Sequence, residues 1–308
     1  MDATTQLQLA GLIYTAVIPA AVVVAVGLVG RRLRPGAGDR PLIMSLAVIA
    51  GILAAWIGIA GLPGTGDARN WPLLAGLLGG ILGLGLDVFL RNKPLAVAGL
   101  AVITLGLGIW RAVAPLQGVW ADGVVGPLAD TAWVLDAAVI GLVVWLGVEQ
   151  AARHAPTPAV LGPLALACAG AAGVSVLSHS ALVGQLFGGL GLALGTAALL
   201  GWWKRDLRAG HGAIAIAMGT FAALLVYGHI STDSPRAAST LILLTPLAAL
   251  PAVLARRTLV AVLIAGAIAA ALVGTAVGLV QAKGAAEDAK AGAEQAPGTP
   301  DYSNMGGY

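Results

Sequence analysis

Residues 9–30 read LAGLIYTAVIPAAVVVAVGLVG, and residues 31–40 follow with RRLRPGAGDR. The first stretch is apolar throughout, and the second gathers Arg31, Arg32, Arg34 and Arg40. As a helix rising about 1.5 Å per residue, the first stretch crosses a hydrocarbon core of roughly 30 Å. No Lys or Arg precedes it. A secretory leader carries a basic region there, so the run reads as a retained helix.

The same unit recurs along the chain. Apolar runs fall at approximately 9–30, 42–61, 72–90, 95–114, 131–151, 158–177, 181–203, 212–230, 237–254 and 258–280. They predict an all-α, polytopic transmembrane helix bundle of about ten spans. Residues 1–280 then form one transmembrane domain. The run at 237–254 contains Pro246 and Pro251, which should kink it; neighbouring helices can satisfy the carbonyls that proline frees.

Positive charge fills alternate gaps. Arg31, Arg32, Arg34 and Arg40 follow the first run, Arg91 and Lys93 the third, and Arg153 the fifth. Lys204, Arg205 and Arg208 follow the seventh, and Arg256 and Arg257 the ninth. These are most of the 17 basic residues. The positive-inside rule places them in the cytoplasm and both termini outside it. Trp71, Trp110, Trp120 and Trp133 lie near the outer ends of runs, and Trp202 and Trp203 at an inner end. Indole prefers that interface, where one edge is apolar and the N–H is wet.

Composition fits this frame. Of 308 residues, 58% are hydrophobic and only 10% charged, with a mean hydropathy of +0.91. Soluble domains carry about 25% charged residues. Lipid is the partner expected for such a surface. No basic stripe with interleaved aromatics suggests nucleic acid. Alanine, glycine, valine and arginine richness points to a bacterial source and the cytoplasmic (inner) membrane. Cys168 lies alone inside an apolar run, where a thiol packs as a small hydrophobe. Residues 115–129 form the longest outer loop. The tail at 281–308 is low in apolar bulk and is expected to be disordered and extracytoplasmic beyond about residue 284.

Glycine pairs four apart recur: Gly76 and Gly80, Gly79 and Gly83, Gly184 and Gly188, Gly191 and Gly195, Gly274 and Gly278. Each pair shares a helix face and lets backbones approach, within the chain or in an oligomer.

Ionisable groups inside the runs are the default pointers to function. Asp87 precedes Arg91 by four residues, and Glu149 precedes Arg153 by four. Both spacings predict interfacial ion pairs on one helix face. Asp136 has no base at helical spacing. Arg111, near the outer end of the preceding run, is the partner expected for it. His179, His229, Asp67, Asp122, Asp130 and Asp233 collect at the outer mouth without a metal-binding signature. His154 and His211 read as incidental loop residues. Ser175, Ser178 and Ser180 flank His179, but no nucleophile elbow is present.

No metal, no cofactor and no catalytic site is therefore expected. Two functional readings follow. One is a non-catalytic structural or assembly subunit of a membrane complex, partnered by other membrane subunits or by its own copies. The other is a small-solute permease with an outward-facing Arg111/Asp136 site.

Overall fold

The computed structural model describes residues 13–34, 36, 40–89, 93–114, 127–232, 234–255 and 257–294. Among these every long element is a helix, and no strand occurs. A short π-helical lead at Ile13–Val17 opens α1 (Ile18–Leu33). Then come α2 (Arg40–Ala60), α3 (Trp71–Phe89), α4 (Pro94–Val113) and α5 (Pro127–His154). They are followed by α6 (Thr157–Leu177), α7 (Ala181–Trp203) and α8 (His211–Ser231). A broken segment joins α9 (Arg236–Leu244), a 3-10 turn at Thr245–Ala248 and α10 (Ala249–Ala252). The last helix is α11 (Thr258–Glu294).

Nine helices among the described residues are long and apolar enough to cross a membrane. The segment Arg236–Ala252 is shorter and also apolar. Pro246 lies in its 3-10 turn and Pro251 in α10. Tighter winding lengthens the path, because a 3-10 turn rises about 2.0 Å per residue against 1.5 Å in an α-helix. The segment therefore reaches roughly 27 Å, nearly a full hydrocarbon thickness. Its far end packs Ala252 with Ala261 and Ala265 of α11 and Ala159 of α6. The chain is a multi-pass membrane protein in its length and polarity pattern.

Two ends of the bundle differ. One, the basic end, carries Arg31, Arg32, Arg34, Arg40, Arg153, Lys204, Arg205, Arg208 and Arg257. The other holds Trp71, Trp110, Arg111, Trp133 and His229. Lys204 rests its ammonium 3.7 Å from the Trp203 ring at the basic end, an arrangement suited to an interface.

The packing centres on α8. Its hydrophobic window is 83% buried, against 22% for α11. Every residue from His211 through Val226 is buried. Helices α2, α3, α4, α5, α6, α7 and α9 all contact it. The closest approach is to α3, where Gly76, Gly80 and Gly83 face α8. A Cβ on Gly83 would lie 2.7 Å from the Gly212 Cα. Gly79 turns instead to Thr104 of α4. In α7, Gly184 and Gly191 abut α6. These glycines serve packing within the chain. Gly274 and Gly278 of α11 face open space.

α11 differs from the sequence expectation. It remains helical to Glu294, about ten residues past the expected end of order near 284. The stretch from Ala282 to Glu294 is rich in alanine, the best helix former. Lys283 and Glu287 pair at 3.7 Å one turn apart. Adding residues to a helix already formed needs no new nucleus, so weak propensity suffices. The remaining tail expectation, at 295–308, lies outside the described residues, as do Arg91, Arg256, Asp233 and most of the loop at 115–129.

Candidate functional site

The basic end of α8 is built from four separate helices. α8 starts at His211 after Gly210, whose backbone is extended and which has no side chain to cap it. The first N–H groups of a helix have no partner within it. In a lipid-facing fold each unmet N–H is costly. Here the caps come from across the bundle. The Asp87 Oδ1 of α3 accepts the His211 N–H at 2.7 Å. Its Oδ2 accepts the Gly212 N–H at 3.2 Å and the Ser45 hydroxyl at 2.8 Å. Ser45 Oγ of α2 accepts the Ala213 N–H at 3.0 Å. Asp87 also sets a negative charge at the positive end of the helix dipole.

Two glycines make room for this contact. A Cβ on Gly210 would lie 2.5 Å from Asp87 Oδ2, and one on Gly212 3.0 Å from the Ser45 Cβ.

Beside the cap, the His211 ring reaches Glu149 of α5, with Nδ1 and Oε2 2.7 Å apart. Glu149 is 3% exposed. Its other oxygen, Oε1, is buried without a hydrogen-bond partner. A cavity of about 340 Å³ opens here, lined by Asp87, Glu149, Arg153, Arg208 and His211 among others. The loop between α7 and α8 forms part of its wall. Thr157 donates to the Leu207 carbonyl at 2.8 Å and accepts the Ala209 N–H at 3.1 Å. Asp206 in that loop takes Arg31 Nε at 3.0 Å and lies 3.6 Å from Arg40 Nε. Burial alone would raise the Asp206 carboxyl. The Arg31 hydrogen bond, a backbone hydrogen bond and the charges of Arg31 and Arg40 outweigh it and hold the group below the usual carboxylate range.

The sequence-stated pairs fare differently in this geometry. Arg91 lies outside the described residues, and the Asp87 partners are Ser45 and the start of α8. Glu149 bonds His211 rather than Arg153, and Arg153 is exposed. Arg111 and Asp136 are not brought together. The Arg111 guanidinium lies 4.5 Å from the Trp71 ring centre and 4.7 Å from that of Trp110. Its Nε is buried with no hydrogen-bond partner. Asp136 is exposed on the outside of α5. α4 and α5 are neighbours, as the pairing required. The failure is rotational. Trp133, Ala137 and Val144 mark the buried face of α5, and each residue step turns the side chain by about 100°.

At the opposite end, His229 of α8 stacks on Trp133, with ring centres 3.9 Å apart. Its Nδ1 lies 3.2 Å from both Ser234 Oγ and Ser239 Oγ. Both histidines of α8 are thus locked into the packing. His179 adopts a positive φ of 64° in the turn before α7. No group of three metal-ligating side chains occurs among the described residues.

His211 is the residue that sequence reasoning passed over. The signal available was its flanking by Gly210 and Gly212 at the charged end of an apolar run. Two small residues there admit a carboxylate from another helix.

Comparison with known proteins gives no kinship: no family model, no curated protein and no solved structure matches this chain.

Proposed function

We propose that the chain is a non-catalytic structural or assembly subunit of a larger membrane complex. In this reading it sits in a bacterial cytoplasmic membrane, with the basic end in the cytosol and both termini outside. The supporting observation is the sealed central helix. α8 is buried on all sides from His211 to Val226. A carrier needs a polar cavity near the midplane, lined by broken helices. The unbroken α8 offers Thr220 there, with Thr104 of α4 beside it. Both hydroxyls are buried against glycines rather than open to a path.

The charged cluster at the basic end fits a structural role. Asp87 and Ser45 complete the start of α8, and Glu149 holds its first side chain. The permease alternative rested on Arg111 and Asp136 sharing an outward cavity. Arg111 between tryptophans and Asp136 on the outer surface lend that reading no support.

The test is native mass spectrometry of the affinity-tagged full chain, released from its own membranes in a mild detergent. The expected result is a fixed-stoichiometry assembly with at least one other membrane protein. A chain released alone, together with solute uptake by vesicles that contain only it, would overturn the reading.

A further inference from the structure

α5 turns one side away from the bundle. Ala132, Asp136, Val139, Val143, Leu146 and Gln150 are all exposed, at alternating spacings of four and three residues. Val139 and Val143 are 63% and 57% exposed, and Leu135 beside Asp136 is 64% exposed. The spacing is that of a seam which a second helix can follow along its length.

Asp136 sits within this seam, without a hydrogen bond or ion pair to the described residues. It lies three residues inward from Trp133, whose stacking on His229 marks the end of the bundle. Fourteen residues separate it from Gln150 at the other end of the seam, or about 21 Å along the helix. Asp136 lies four residues into the apolar span Ala132–His154; with that span across a bilayer, an unpaired charge there is expensive.

Among the described residues nothing covers it. Arg111, the nearest candidate by sequence, is held by Trp71 and Trp110. Every other described Lys and Arg lies in a loop, at a helix end or on the extension of α11. A second copy fits poorly too. A twofold axis along the membrane normal would set Asp136 against Asp136 at equal depth, where like charges repel.

We infer that the Asp136 seam of α5 docks a transmembrane helix of a different subunit, which carries a Lys or Arg opposite Asp136. The inference rests on the subunit reading above and names its contact face. The partner helix is apolar along Val139, Val143 and Leu146. Its basic residue lies about 21 Å from the end that meets Gln150. Burying a carboxylate and a base together satisfies both, whereas lipid satisfies neither.

The test uses the full chain in phosphatidylcholine vesicles with synthetic leucine-rich transmembrane helices. One probe helix carries a single Lys at the matching depth, and two others carry Leu or Asp there. A donor dye on an H154C variant and an acceptor on the probe report association by energy transfer. Cys168 is fully buried, so the dye takes the new thiol. The Lys probe should associate and the Leu and Asp probes should not. Asp136→Asn should weaken Lys-probe association by about tenfold or more. Asp136→Lys should reverse the preference toward the Asp probe. An unchanged thermal melt for Asp136→Asn shows that the loss is one of recognition.

Equal association of the Leu probe, or an undiminished Lys-probe signal in Asp136→Asn, would overturn the inference. So would energy transfer between chains without any probe, which would assign the seam to a second copy. If the probe fails while the chain still leaves its membranes in a fixed assembly, the face is wrong and the subunit reading stands. If the chain leaves alone yet binds the Lys probe, the face stands and the subunit reading falls.

Discussion

Asp87 and Asp136 are both carried by apolar helices, and the fold treats them in opposite ways. Asp87 is met by two backbone N–H groups and a hydroxyl from two other helices. Asp136 is met by none, and it looks outward from α5. The first carboxylate completes a fold that lipid cannot complete, because lipid donates no hydrogen bonds. The second has no partner among the described residues. A charge kept inside a hydrophobic seam without internal use marks a surface meant for another molecule.

That contrast can be broken by substitution. The largest effect is expected at Asp87. Asp87→Ala strips acceptors from the His211 and Gly212 N–H groups and from Ser45, which should cost about 3 kcal/mol or more. A thermal melt in detergent should show a drop of many degrees, with a smaller one for Asp87→Asn. A melt unchanged in Asp87→Ala would mean that α8 needs no cap from α3.

Close packing beside the cap comes next. In Gly83→Ala the new methyl meets the Gly212 backbone, which cannot swing aside as a side chain can. A loss of roughly 1–3 kcal/mol is expected, as for other overpacked cores. Gly85→Ala on the same helix meets nothing within 4 Å. It should leave stability equal or slightly higher, since alanine favours helix over glycine by up to about 1 kcal/mol. Equal melts for the two variants would remove the argument for intimate α3–α8 contact.

A smaller, pH-dependent effect belongs to Asp206. Its folded carboxyl titrates below the usual carboxylate range because Arg31 and Arg40 outweigh its burial. The stability it adds is therefore full above the unfolded value of about 3.9 and fades as pH falls through the depressed folded value. Melts recorded from pH 6 down to pH 3 should fall less steeply in Asp206→Asn than in the unaltered chain. Identical slopes would show that the Arg31 and Arg40 contacts carry no linkage.

The smallest effect on the isolated chain is expected at Asp136. Asp136→Asn removes no internal contact and should shift its stability by no more than about 0.5 kcal/mol in either direction. A large loss would place Asp136 back in the structural class with Asp87.

Much of this architecture was legible in the chain itself. Of the ten runs, nine became helices long enough to cross a membrane among the described residues, and Pro246 and Pro251 marked the shorter segment that breaks. The charged residues were legible as individuals; Glu149 pairs with His211 rather than Arg153, and the Asp87–Arg91 pair lies partly outside the described residues. Reasoning along one helix gives Asp87 a partner at 91 and Glu149 a partner at 153. Their observed partners lie on α2 and α8, far away in sequence, and tertiary packing decides them. The face of Asp136 was equally hidden. α5 is apolar nearly all round, so no polar stripe reveals which side meets lipid. One residue step turns a side chain through about 100°, enough to separate Asp136 from the buried Trp133 and Ala137 side.

On this reading the outer face of α5 is bare in the isolated chain and covered in the membrane of origin. Oxygen accessibility of a nitroxide on V143C, read by electron paramagnetic resonance, tests it directly. The label should relax freely with oxygen when the purified chain is in vesicles, and should be shielded when the same variant stays in its own membranes. Equal accessibility in both settings would contradict the account.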